Sequence, residues 1–192
     1  MRCFVAVPVP DAVRDLLVRV QEALARGGDA VKWVEKENLH LSLKFLGEMT
    51  EDQVGRLAGL LTAEAARWPR MRLAYAGVGA FPGRGAPRTV WAGATGDLGK
   101  LAGLAAAVER AAEQVGVPRE GRPFVAHVTL GRVRSLCDPG RFHALIDAQS
   151  RVPLGDDVVG EFVLFRSTLT PLGPVYEAIA RFPLGADGRS IA

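Results

Sequence analysis

The chain has 192 residues, 48% of them hydrophobic, and a formal net charge of +3. A chain of this length buries roughly 70% of its unfolded surface as one domain or two tightly joined lobes, which describes an ordinary globular protein and excludes a disordered one. Two cysteines, Cys3 and Cys137, are too few for a disulfide framework or a zinc cluster, and no apolar run reaches the length of a membrane span.

The expected compartment is a reducing cytoplasm, because the apolar stretch Cys3 to Val9 is too short for a secretion signal and is interrupted by Pro8. Only four of the 24 basic residues are lysines: Lys32, Lys36, Lys44 and Lys100. Arginine forks suit phosphate geometry, but a GC-rich or heat-adapted genome produces the same bias. Only arginines beside a motif therefore carry weight.

In chain order, Phe4 to Val9 reads as a buried strand. Asp11 then caps a helix with Val13, Leu16, Leu17, Val20 and Leu24 on one face, ended by Gly27-Gly28. Val31 to Glu35 and Leu39 to Leu46 read as strands, with a turn at Gly47. Thr50 and Gln53 form a capping box for a helix through Val54, Leu57, Leu60 and Leu61 to about Arg67. Met71 to Phe81 and Thr89 to Ala94 make an antiparallel hairpin around the Pro82 to Arg88 turn. Asp97 caps a helix that turns Leu98, Leu101, Leu104, Ala105 and Val108 inward. A connector past Gly116 and Pro118 leads to a strand over Val125 to Val133, then a short helix near Arg141 to Ala148. Val158 to Leu169 and Val175 to Phe182 close the chain as strands around Pro171-Leu172-Gly173-Pro174. With no linker or low-complexity stretch, residues 1–192 read as a single α+β domain with two lobes and an internal duplication.

One pattern occurs twice: His40-Leu41-Ser42-Leu43 and His127-Val128-Thr129-Leu130. In a strand, alternation puts the imidazole and hydroxyl on one face and two aliphatic residues on the other. A single copy is also what a hydrogen-bonded structural histidine looks like, whereas two copies facing one cleft offer two groups that titrate near neutrality and two hydroxyls. Proton transfer at a phosphate ester needs such a set. His143, the third histidine, has no partner motif and reads as a surface residue. Gly77-Val78-Gly79 lacks the third glycine of a dinucleotide fingerprint, and neither histidine has ligand spacing for zinc.

These residues resemble the two-histidine phosphoesterase superfamily, and within it the RNA 2′,3′-cyclic phosphodiesterases, also called 2′-5′ RNA ligases. Asn38 to Glu48 is similar to the family's first signature and Arg122 to Arg132 to its second. Ser42 stands where threonine is frequent, and Ala126 where proline commonly precedes the second histidine. The resemblance implies a bilobal, pseudo-two-fold arrangement in which two antiparallel sheets line a central cleft and helices cover the outside. It also implies hydrolysis of RNA 2′,3′-cyclic phosphate ends to 2′-phosphates, with reversible 2′-5′ joining that needs no cofactor and no metal. The substrate would be RNA, with transfer-RNA fragments a family-level expectation, and the protein a monomer.

His40 and His127 are the expected catalytic pair, with His40 assigned as acid and His127 as base, and Ser42 and Thr129 the expected phosphate holders. Arg132 lies five residues beyond His127 and would face away from it in an unbroken strand, so a bulge or turn at Gly131 is needed to bring it round; the resemblance implies a substrate role, and the other reading is an exposed strand-end arginine. Phe45, five residues beyond His40, either packs in the core or stacks on a base. Two alternatives stay open: a phosphodiesterase for a small cyclic phosphate, such as a nucleotide or an ADP-ribose derivative, and a non-catalytic RNA-binding module. The basic Arg84 to Arg88 turn favours RNA, while the parts played by Arg166 and Tyr176 do not follow from the sequence.

Overall fold

A computed structural model describes residues 1–83, 85–171 and 173–185, so Arg84 and Leu172 of the two expected turns lie outside the described residues. The strands are β1 (Arg2–Pro8), β2 (Ala30–Trp33), β3 (His40–Glu48), β4 (Met71–Phe81), β5 (Thr89–Gly96), β6 (His127–Ser135), β7 (Pro153–Val159), β8 (Glu161–Thr170) and β9 (Gly173–Pro183). The helices are α1 (Asp11–Ala25), α2 (Glu51–Ala65), α3 (Leu98–Gln114) and α4 (Pro139–Ala148).

All recorded strand pairs are antiparallel, in the order β7-β4-β5-β6-β3-β1-β8-β9, with β2 alongside β6. The order reads outward in the same way from the β6–β3 junction, which is a single rung, Leu41 opposite Val128. The two expected sheets are thus two halves of one curled sheet joined at its centre. They are not the two halves of the chain, because β8 and β9 return to pair beside β1.

That return exposes an error in the sequence reading. The run Val158 to Leu169 is two strands: β7 pairs with β4 in one half, and after Gly160 β8 pairs with β1 in the other. The apolar run is continuous because both strands bury one face, so hydropathy alone does not mark the crossing.

Helix periodicity is a better guide. Val13, Leu17, Val20 and Leu24 of α1 are buried as expected, as are Val54, Leu57 and Leu61 of α2, whose Thr50–Gln53 capping box is present. Two caps differ: Pro10 occupies the α1 cap without a side-chain bond, and Asp97 accepts instead from the Arg72 backbone N–H at 2.9 Å. The helices also exchange partners. α1, which follows β1, packs with α4 beneath β6 and β7, while α3, which follows β5, packs with α2 and β3. One hydrophobic cluster runs through both halves, and among the described residues no helix is long and apolar enough to cross a membrane.

Candidate active site

The two motif strands share one local frame. From the histidine onward, β3 and β6 show the same sequence of partly exposed and buried positions for six residues: His40 to Phe45 match His127 to Arg132. Both strands then break alternation at the same place. In β3, Ala6 lies opposite Ser42 and Val5 opposite Lys44, so Leu43 is an extra residue; in β6, Trp91 lies opposite Thr129 and Val90 opposite Gly131, so Leu130 is extra. A bulge shifts the side-chain phase by one. Each bulge therefore brings the fifth residue back to the histidine face, and Phe45 and Arg132 are both exposed. Phe45 is 63% exposed, which rules out its core reading.

Each bulge is tied down by the exchanged helix. The buried Gln21 of α1 donates to the Leu130 carbonyl and to the Val34 carbonyl, both at 2.8 Å. The buried Lys44 is paired with Glu109 of α3 and donates to the Pro118 carbonyl at 2.8 Å. Gly131, the counterpart of Lys44, has no room for a side chain, because a Cβ there would lie 2.7 Å from the Trp33 ring.

At the junction the motifs align head to tail. Extending the Leu41–Val128 register by one residue sets His40 beside Thr129 and Ser42 beside His127. The two histidines are then diagonal neighbours on one face, about 7–8 Å apart in an ordinary antiparallel pair, a span that one phosphate group bridges. Neither the Ser42 nor the Thr129 hydroxyl is bonded to another described residue, and both are partly exposed.

Both rings are anchored alike. His40 Nδ1 bonds the Asn38 carbonyl at 2.6 Å and His127 Nδ1 bonds the Val125 carbonyl at 2.8 Å. A carbonyl only accepts, so Nδ1 carries the proton and Nε2 is the nitrogen left for chemistry. The surroundings differ. His40 packs against Phe4 at 4.8 Å and edge-on to Tyr176 at 5.4 Å, with Phe165 stacked beyond Phe4. Among the described aromatic residues His127 meets Phe81, at right angles and 5.3 Å, and Phe81 in turn stacks on Trp91. Burial pushes the His40 pKa below its ordinary value, aided by the charges of Arg14 and His127 and opposed by the bond to Asn38. This direction favours the neutral ring and runs against the expectation that His40 is the acid.

Tyr176 belongs to this site and Arg166 does not. Burial raises the Tyr176 pKa, with the charge of Glu35 adding to the effect and those of Arg132 and Arg2 opposing it. Arg166 faces away, paired with Glu177 and lining a groove with Met1, Glu51 and Val54. His143 is partly exposed on α4. Sequence reasoning missed Gln21, Glu109, Phe4, Phe81 and Arg14, whose parts depend on long-range packing that no local pattern encodes.

The chain matches the model of the LigT-like phosphoesterase family over residues 7–91 and 97–176. It is 38% identical to the RNA 2′,3′-cyclic phosphodiesterase of Archaeoglobus fulgidus over 95% of this chain and 99% of that one. It is 32% identical to the protein of the same name from Methanocaldococcus jannaschii, over 93% and 98%. Its fold is similar to the crystal structure of E. coli LigT complexed with 3′-AMP, with a TM-score of 0.77 and 26% identity over 95% of this chain and 97% of that one. The duplicated histidine frame at the centre of a curled antiparallel sheet and these matches lead to one conclusion: the chain belongs to the LigT-like two-histidine phosphoesterases.

Proposed function

We propose that this chain hydrolyses 2′,3′-cyclic phosphate ends of RNA to 2′-phosphates, with His40 and His127 transferring the protons. The reading rests on one observation: both Nδ1 atoms are committed to backbone carbonyls, leaving two Nε2 atoms on one face of adjoining strands. Water attacks phosphorus as one histidine takes its proton, the P–O3′ bond breaks, and the other histidine protonates the departing O3′. The lowered His40 pKa suits the base, leaving the acid to His127. Ser42 and Thr129 donate to the non-bridging oxygens as charge builds, Arg132 adds a guanidinium, and Phe45 offers a ring to the terminal base. The same steps with a ribose 5′-hydroxyl in place of water join ends through a 2′-5′ bond and free the 3′-hydroxyl, and their reversal cleaves that bond. The exchanged helices favour one two-lobed unit over two independent domains.

The test is incubation in EDTA with an oligonucleotide ending in a 2′,3′-cyclic phosphate and, separately, with a small cyclic nucleotide. RNA turnover to a 2′-phosphate is expected. Turnover of the small molecule alone would move the assignment to a nucleotide phosphodiesterase, and binding without turnover would leave an RNA-binding module.

A further inference from the structure

Beyond the histidines, β6 runs into a shallow groove of about 570 Å³ lined by Ala86, Pro87, Arg88, Arg132, Arg134, Ser135 and Pro139, among others. Arg88, Arg132 and Arg134 are exposed, and among the described residues none of them is ion-paired and no acidic side chain lines the groove. Two local features concentrate the charge. Lys32 of β2 lies directly opposite Arg132, and like charges at such a pair are destabilising unless an anion joins them. Arg134 is itself an extra residue, since Val31 pairs with Val133 and Ala30 with Ser135, and a bulge at a sheet edge re-aims its side chain. The Arg88 carbonyl accepts from Val133 N–H at 2.9 Å, fixing that arginine's backbone beside the strand.

We propose that this groove holds the phosphodiester backbone of the nucleotides preceding the terminal cyclic phosphate, with Arg132 at the junction and Arg88 and Arg134 beyond it. The proposal rests on the RNA-end reading and sharpens it. A row of unpaired guanidiniums that starts at the reacting group and leads away from it matches a polyanionic strand, whereas a mononucleotide would reach only its first member. Guanidinium forks bind phosphate without reading bases, so the groove measures length and not sequence.

The experiment compares a cyclic-phosphate-ended octanucleotide with cytidine 2′,3′-cyclic monophosphate, using the whole chain and its Arg88→Gln/Arg134→Gln double variant over a salt series. The octamer should have the higher kcat/KM. The variant should lose about 10- to 100-fold on the octamer, mostly in KM, and stay within about two-fold on the mononucleotide, which also reports that it folds. The slope of log KM against log salt should flatten by about 1.4, from two single-strand contacts of about 0.7 each. Equal losses on both substrates, or none on the octamer, would overturn the groove. Should neither substrate turn over, the RNA-end reading fails, and octamer binding by fluorescence anisotropy decides the groove alone. Weaker, salt-flattened binding by the variant supports it, and unchanged binding sinks it.

Discussion

β3 and β6 share a frame and differ in what they carry. Each places a histidine, a hydroxyl, a bulge and an exposed fifth residue in the same order, yet the fifth residue is an aromatic in one and a guanidinium in the other. Under the bulges, β3 buries a lysine paired with a carboxylate, while β6 has a glycine beneath a tryptophan ring. The duplication therefore supplies geometry twice, and the unpaired positions divide the work: one half is dry and aromatic, the other open and basic.

Removing either histidine tests the shared part, and the largest effect belongs here. His40→Ala and His127→Ala should each lower kcat by about 10² to 10⁴-fold. If His40 is the base, its variant loses the acidic limb of the pH–rate profile and the His127 variant the alkaline limb. The opposite pattern would restore the acid role to His40.

The supports beneath the bulges come next. Lys44→Ala leaves the partly buried Glu109 carboxylate with the Glu120 backbone N–H as its other recorded partner and should cost about 1–3 kcal/mol in a denaturant titration. Gln21→Leu leaves the Leu130 carbonyl with Val34 N–H as its remaining recorded donor. It should cost about 1–3 kcal/mol and raise KM through the misplaced Arg132.

The differing fifth residues should separate by salt. Phe45→Ala should remove about 1–3 kcal/mol of RNA binding at every ionic strength, the value of one stacked base. Arg132→Gln should weaken binding chiefly at low salt and reduce the salt slope. The smallest effect is on stability against pH. The depressed His40 pKa means that below its ordinary pKa the unfolded chain takes up a proton that the folded chain refuses. Stability is therefore intact above that pH and falls as the pH drops toward the folded value. A His40→Gln variant should lose less Tm than the parent over that window.

These contrasts also mark what the sequence makes legible. The helix faces and the paired motifs are local and periodic, so Val13, Leu57 and the two histidines are readable where they stand. Only the β6 irregularity is readable, and only as a requirement: Arg132 cannot reach its histidine without a bulge or turn near Gly131, whereas Leu43 and Leu130 look like ordinary strand residues. The crossing at Gly160 is hidden inside an apolar run. Asp97 has the look of a cap, yet a backbone N–H from a neighbouring strand claims its carboxylate. Tyr176 joins His40 across a long stretch of chain, a contact made by the return of the last hairpin and absent from any local pattern.

The swap of α1 and α3 between the halves has a consequence for how such a molecule can be cut. A nick between Ala65 and Met71 would strand Val13, Leu17 and Val20 in water on one fragment and uncover β7 on the other. Neither piece could hide its own oily surface, so the fragments should stay together as a complex, and complementation should succeed where separate expression yields aggregates.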